Sequence, residues 1–347
     1  MWKLIARRLL LLPVVLLAIY SLTLALAWAV PGNPLERPEG RRPPPEVAQA
    51  LKSQYRLDSF WGFYSSYLAR VSGFDYINTQ FGLSASGKAQ RNAFELQDQL
   101  TIAAGLKPQS RPIFDFGPSL QYRDRKVNEI IAGSLPVSIT VGTAAILLAT
   151  ILGVGTGLLG ASKPGSLRDG LSFSVALIGV SLPSFVIGTI LLLSFSVALP
   201  IFPVGHWGRL EDLVLPALTL SLPFAAYIAR LTRMGLLEQM ASDYVRTARA
   251  KGVPESVILY KHALKNAFLP VLSYLGPATA LAMTGSFVVE RVFRVPGMGQ
   301  FFVTAVQNKD LFLIIGIVLV FSTMLILINL VVDCLYRWVD PRIASGS

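Results

Sequence analysis

Residues 242–270 read SDYVRTARAKGVPESVILYKHALKNAFLP: two short basic stretches on either side of a glycine, set between two apolar runs of membrane length. Ser242 or Asp243 can serve as an N-cap, Arg246, Arg249 and Lys251 gather toward the C-terminal end, and Gly252 supplies a residue at ease in the left-handed conformation that stops a helix. Pro254 is tolerated as the first residue of a second helix, and Glu255 favours that helix's positive end. Val257, Ile258 and Leu264 then alternate with Lys261 and Lys265 at helical spacing. The stretch therefore predicts two short helices meeting at an angle around Gly252. A solvated loop made basic only by the positive-inside rule shares this pattern. So does a DNA-binding helix-turn-helix, but the apolar runs on both sides leave it no tether for reaching a groove.

Working outward, the 347 residues are 53% hydrophobic and only 15% charged, with a mean hydropathy of +0.55, which excludes an ordinary soluble domain. The net charge of +11 follows membrane topology instead of marking a nucleic-acid partner. Apolar runs at about 9–30, 134–160, 171–199, 213–234, 268–289 and 311–335 predict an all-α polytopic membrane protein with six transmembrane helices. Six spans put both termini on one side. That side, which also holds the 242–270 stretch, carries a net +8 against +3 for the other, so the termini and the basic helices are expected in the cytoplasm.

The domain organisation follows: a first transmembrane helix over 1–30, an extracytoplasmic segment over 31–132, a five-helix core over 133–336 with a cytoplasmic loop at 236–266, and a cytoplasmic tail at 337–347. Lys3, Arg7 and Arg8 ahead of an apolar run ending in Ala25 and Ala27 resemble a signal peptide. The run exceeds the roughly 7–15 residues of a signal h-region, which favours an uncleaved span. Within the long segment, RPEGRRPPP from Arg37 reads as extended. Ser59 to Val71 reads as an amphipathic helix whose Trp61, Phe63, Tyr64 and Tyr67 suit a membrane interface. Ala85 to Arg111 is polar, with helical stretches and no site signature.

The chemistry that is missing is equally informative. The sequence has no P-loop motif, so the chain is not its own ATPase by that route. Gly155-Thr-Gly157-Leu-Leu-Gly160 satisfies G-x-G-x-x-G, but it ends a membrane-length run; with Gly142 and Gly153 it predicts a small-residue face where helices approach closely. One cysteine, Cys334, and two distant histidines, His206 and His262, make neither a disulfide nor a spaced metal motif, and no metalloprotease or nucleophile signature is present. Ionisable residues inside the runs are scarce, which disfavours an ion-driven secondary transporter or channel. Asp333 is placed to pair with Arg337 one turn on, and Asn329 to bond another helix. Movement of a solute without its own nucleotide or ion site requires an energy-supplying partner, and the helices around Gly252 are the exposed contact for one.

These residues carry a resemblance. MWKLIARRLL with VPGNP, DFGPSL at Asp115, SLPVSIT before the second run, LPALTLSLPFAAYIARLTR, DYVRTARAKG with KHALKNAFLPVL, and VVERVFRVPGMGQFF together resemble the first permease subunit of bacterial dipeptide/oligopeptide ABC importers, over most of the chain. The loop resembles the EAA coupling segment of that family, with Arg246, Thr247 and Ala248 at the three EAA positions and Gly252 as its glycine. It departs from the general motif at the first two of those positions and at Leu264-Lys265. The resemblance implies a type I importer fold in which this chain forms half of a pore with a second permease subunit. It further implies two cytoplasmic ATPase subunits that bind ATP and Mg, a solute-binding protein outside, and no cofactor in this chain. Asp243, Tyr244, Arg246, Thr247, Ala248, Arg249, Ala250, Lys251, Gly252, Val253 and Glu255 are the residues it assigns to ATPase coupling. Peptides are the leading cargo, and nickel chelates, haem or oligosaccharides are served by similar permeases.

Overall fold

The computed structural model describes residues 2–32, 35, 44–104, 111–122, 125–284 and 287–339. Most of the Pro/Arg-rich stretch from Arg37, part of the polar stretch before Arg111, and most of the 337–347 tail lie outside them. The described residues form helices: α1 (Trp2–Ala29), α2 (Pro45–Tyr55), α3 (Phe60–Val71), α4 (Phe74–Phe81), α5 (Ala85–Ala103), α6 (Val127–Ser162), α7 (Leu167–Ser181), α8 (Ser184–Leu192), α9 (Leu210–Met240), α10 (Asp243–Ala250), α11 (Glu255–Val257), α12 (Leu264–Ala267), α13 (Leu269–Met283), α14 (Phe287–Val292), α15 (Met298–Gln307) and α16 (Leu311–Val339). Wider π-helical turns continue α8 over Leu193–Ala198 and join α11 to α12 over Ile258–Ala263. The chain separates into two compact units, one of Met1–Leu16, Gly133–Val303 and Val320–Ser347, the other of Leu17–Ala132 and Thr304–Leu319.

Five helical stretches among the described residues are long and apolar enough to cross a membrane: Ile5–Ala29, Val127–Ser162, Leu210–Met240, Leu269–Val292 and Leu311–Cys334. The third of the six expected runs differs. It is broken into α7 and α8, because Pro183 is extended (φ −58°, ψ 140°) and restricts Leu182 before it. Neither piece reaches the length of a single span. Prolines inside α1, α6, α9 and α13 leave those helices continuous, as membrane helices allow when neighbours satisfy the freed groups.

In the first unit, glycines of α6 let other backbones come close. A Cβ on Gly142 would lie 2.5 Å from the Ala282 carbonyl oxygen of α13. On Gly153 it would lie 2.7 Å from that of Ala225, and on Gly157 2.7 Å from that of Ala229, both in α9. The string at 155–160 is thus a packing face, while Gly155 points into open space. α7 is tied to α9 by a two-pronged ion pair, Arg233 to Asp169 at 2.6 and 2.8 Å. Asp333 pairs with Arg8, because α1 brings a guanidinium beside it; the side chain of Arg337, the partner its spacing suggests, lies outside what the structure describes. No hydrogen bond is formed by Asn329 among those described; it lines a pocket with Arg8 and Asp333.

In the second unit the aromatic face of α3 turns inward. Phe63 and Tyr67 are buried, stacked on one another at 5.3 Å and set edge-on to Phe312, whereas Trp61 alone stays largely exposed as an interface residue would. The Tyr67 hydroxyl donates to the carbonyls of Phe116 and Phe312. Asp310, fully buried, accepts from the Ser119 hydroxyl at 2.5 Å and from the N–H groups of Leu120 and Leu313, fastening the 119–121 turn to the start of α16.

A side chain at a close-approach glycine should be costly. Gly157→Val is expected to lower the unfolding temperature in detergent and reduce the yield of folded protein, by about 1–3 kcal/mol or more of overpacking. Gly155→Ala should leave both unchanged.

Candidate functional site

The 242–270 stretch folds as two helices around Gly252. Ser242 occupies the N-cap position with extended backbone (φ −74°, ψ 157°), but its hydroxyl turns back to donate to the Gln239 carbonyl, so α10 begins without a side-chain cap. At the other end Gly252 is left-handed (φ +75°), its N–H donates to Arg249, and the Val253 N–H donates to Ala248. That pair of bonds is the Schellman stop that the sequence predicts. Pro254 is the N-cap of α11, not its first residue: its backbone is extended (ψ 141°) and its carbonyl accepts from the Ile258 N–H.

An ion pair closes the turn. Arg249 reaches across Gly252 to Glu255, with Nη2 to Oε1 at 2.6 Å and Nε to Oε2 at 3.1 Å. The guanidinium holds the Glu255 carboxyl below its usual range. Both side chains are substantially exposed, so the pair fixes the angle of the turn more than it adds stability.

The helix pair is seated on the membrane helices by its buried side. Val245 and Ile258 are fully buried, and Leu259, Ala263 and Ala267 pack with Ala161 of α6 and Leu236 of α9. The Tyr244 hydroxyl bonds the Gln239 side chain at 2.9 Å and receives a bond from Asn266 at 3.4 Å. The π turn at Ile258–Ala263 lets Ile258, Leu259 and Ala263 all face inward. Of the residues named from the sequence, Asp243, Tyr244, Arg246, Thr247, Arg249, Ala250, Lys251, Gly252 and Glu255 lie exposed, with Ala248 and Val253 half-buried. The structure brings all eleven to one knob. It presents a largely exposed polar surface, and no metal-binding group of His, Cys, Asp or Glu occurs among the described residues.

Comparison with known proteins decides the family. The family model described as "Binding-protein-dependent transport system inner membrane component" matches residues 134–345, which include the whole knob. The chain belongs to that family. It is an inner membrane permease component of a binding-protein-dependent transport system and, as such, not itself an enzyme. Among curated relatives, the oligopeptide transport system permease protein OppB of Salmonella typhimurium is 43% identical over 231 residues, 66% of this chain and 76% of that protein. The dipeptide transport system permease protein DppB of Bacillus subtilis is 34% identical over 328 residues, 94% of this chain and 93% of that one. Among solved structures, one of the MetNI methionine ABC transporter in inward-facing conformations is 15% identical, with a TM-score of 0.48, covering 61% of this chain and 97% of that one.

Within this permease component, sequence reasoning passed over Glu290, which it placed just beyond the end of the fifth run. The structure buries it almost completely. One carboxylate oxygen accepts from the Ser138 hydroxyl of α6 at 2.8 Å; the other accepts from the N–H groups of Gly299 at 2.8 Å and Gln300 at 3.3 Å, in the first turn of α15. Ser138 in turn accepts from the Met298 N–H. Gly297 is pressed so near that a Cβ there would lie 2.5 Å from the carboxylate. The signal was in view: a lone Glu in VVERVFRVPGMGQFF, followed by two glycines that let donor N–H groups converge.

Two outcomes check this geometry. Glu290→Ala, which leaves buried donors without an acceptor, should destabilise the protein in detergent by at least about 2 kcal/mol, with Glu290→Gln milder; equal unfolding curves would show that the network is incidental. The Glu255 carboxyl is lowered, so the constraint it adds is complete above its ordinary range near 4.5 and lost as pH falls through the lowered value. A spin-label distance between α10 and α12 should broaden only in that acid range, and should broaden at neutral pH in Glu255→Gln.

Proposed function

We propose that this chain is one of two permease subunits of an ATP-driven importer of short peptides, and that the 242–270 knob docks on a cytoplasmic ATPase partner. The peptide cargo is supported by the names of the relatives, which are permeases of oligopeptide and dipeptide transport systems. A second permease subunit completes the pore in the lipid bilayer, two ATPase subunits bind ATP and Mg, and an extracytoplasmic solute-binding protein delivers the peptide. No nucleic acid takes part. Both termini and the knob face the cytoplasm, in keeping with the charge asymmetry of the sequence.

One observation carries the docking role: the knob is closed by its own bonds and packed on helices long and apolar enough to cross a membrane. The Schellman stop and the Arg249–Glu255 pair fix its angle. Leu259 and Ala263 pack against Leu236 of α9. A displacement of Asp243, Arg246, Thr247 and Lys251 by a closing ATPase pair would therefore move α9 as a body, which is the kind of motion alternating access uses. With Arg249 paired to Glu255 and Arg246 only loosely to Asp243 at 3.5 Å, Lys251 and Arg246 leave the exposed face a slight positive character that suits an acidic cleft.

The test is Gly252→Val in the assembled complex. A β-branched residue is costly at φ +75°. Peptide-stimulated ATP hydrolysis and peptide uptake should both fall by at least about tenfold while the complex still copurifies, and full stimulated hydrolysis in the variant would refute the docking role.

A further inference from the structure

The unit of Leu17–Ala132 and Thr304–Leu319 holds a polar cleft of ≈ 850 Å³ among α3, α4, α5 and the chain at 111–115, a size typical of small-ligand sites. Its walls are built firmly. α5 is pressed on α4 where a Cβ on Gly87 would lie 2.5 Å from the Asn78 carbonyl oxygen, and Arg91 bonds both Glu95 and the Gln80 carbonyl. Arg111 lies 4.2 Å over the Phe94 ring and bonds Asp98 at 2.6 Å. These charges are engaged in holding the walls.

Arg70 is held more loosely. It is half-buried, it hydrogen-bonds the Tyr55 side chain with its guanidinium 5.2 Å from the centre of that ring, and its ion pair with Asp75 is long, at 3.9 Å. A guanidinium set by an aromatic side chain, with five N–H donors and only one long ion pair, keeps donors for a carboxylate from a ligand, taken in a two-pronged fashion. The amides of Gln54 and Gln97, which also line the cleft, can each donate to and accept from a peptide group.

We propose that this cleft binds short peptides by their free carboxylate terminus, with Arg70 as the anchor. The inference rests on the peptide-importer reading and adds a weak cargo site outside the apolar runs, where a peptide pauses before entering the pore. It fits a permease with few ionisable groups in its spans, because recognition of the charged terminus takes place before the membrane is reached.

The test uses the whole complex in lipid nanodiscs without its solute-binding protein, titrated calorimetrically with tri-alanine and with tri-alanine amide. Saturable binding of the acid, at least about tenfold weaker binding of the amide, and a similar loss for the acid in Arg70→Gln are expected, with Arg70→Lys intermediate. The amide comparison on the unaltered complex does not depend on any variant folding. Absence of saturable binding, equal binding of acid and amide, or an Arg70→Gln complex that binds like the original would each overturn the proposal. So would a variant that loses only its association with the solute-binding protein, which would make Arg70 a protein contact. Failure of the importer reading shows separately, as no tri-alanine uptake by the complete system; failure of the cleft alone leaves uptake intact.

Discussion

Backbone polar groups in a lipid environment must be satisfied within the helices, so association there depends on how closely helices can approach. In this chain the approach is made by α6, whose Gly153 and Gly157 lie against the carbonyls of Ala225 and Ala229 on α9. Much else in that unit depends on this contact. α9 also takes α7 through Asp169 and Arg233, and its C-terminal turns, from Leu236 to Met240, form the seat of the 242–270 knob. Packing is therefore continuous from the glycine face to the exposed Arg246 and Lys251, with no loop in between long enough to absorb a push.

Two buried carboxylates serve a common physical purpose in different parts of the fold. Glu290 gathers N–H groups from the first turn of α15, and Asp310 gathers them from the start of α16 and the 119–121 turn. Helix beginnings leave N–H groups without partners, and a carboxylate there is favoured by the helix dipole as well. Each of these acids also takes a serine hydroxyl from a distant part of the chain, Ser138 and Ser119, and so turns a local cap into a tertiary tie.

How much was legible in the sequence depends on the range of the interaction. The Gly252 stop, the helices on either side of it, the amphipathic helix after Ser59 and the close-approach role of Gly153 and Gly157 all rest on local chemistry or helical spacing, and the structure has each of them. The broken third run was legible in principle, since Pro183 restricts Leu182, but hydropathy averaged over the run conceals a single missing N–H. Partners that come from afar were not legible: Arg8 for Asp333, Arg233 for Asp169, Ser138 for Glu290. The inward turn of Phe63 and Tyr67 was hidden for the same reason, because their partner Phe312 is far along the chain. All eleven residues assigned to the knob were found together because they are nearly contiguous, whereas the buried Ile258 and Leu259 that seat it depend on a π turn that no spacing rule anticipates.

The central claim is that this permease works through an ATPase partner that grips the knob. The most direct measurement is purification of the chain from its native membrane in mild detergent through a C-terminal tag, with mass spectrometry of what accompanies it, for the original chain and for one whose Arg246, Thr247 and Lys251 are replaced by Glu. The account predicts a second membrane permease and P-loop ATPase subunits with the original, and retention of the permease with loss of the ATPases in the variant. Recovery of the chain without any ATPase, or equal recovery of ATPases with both, would contradict it.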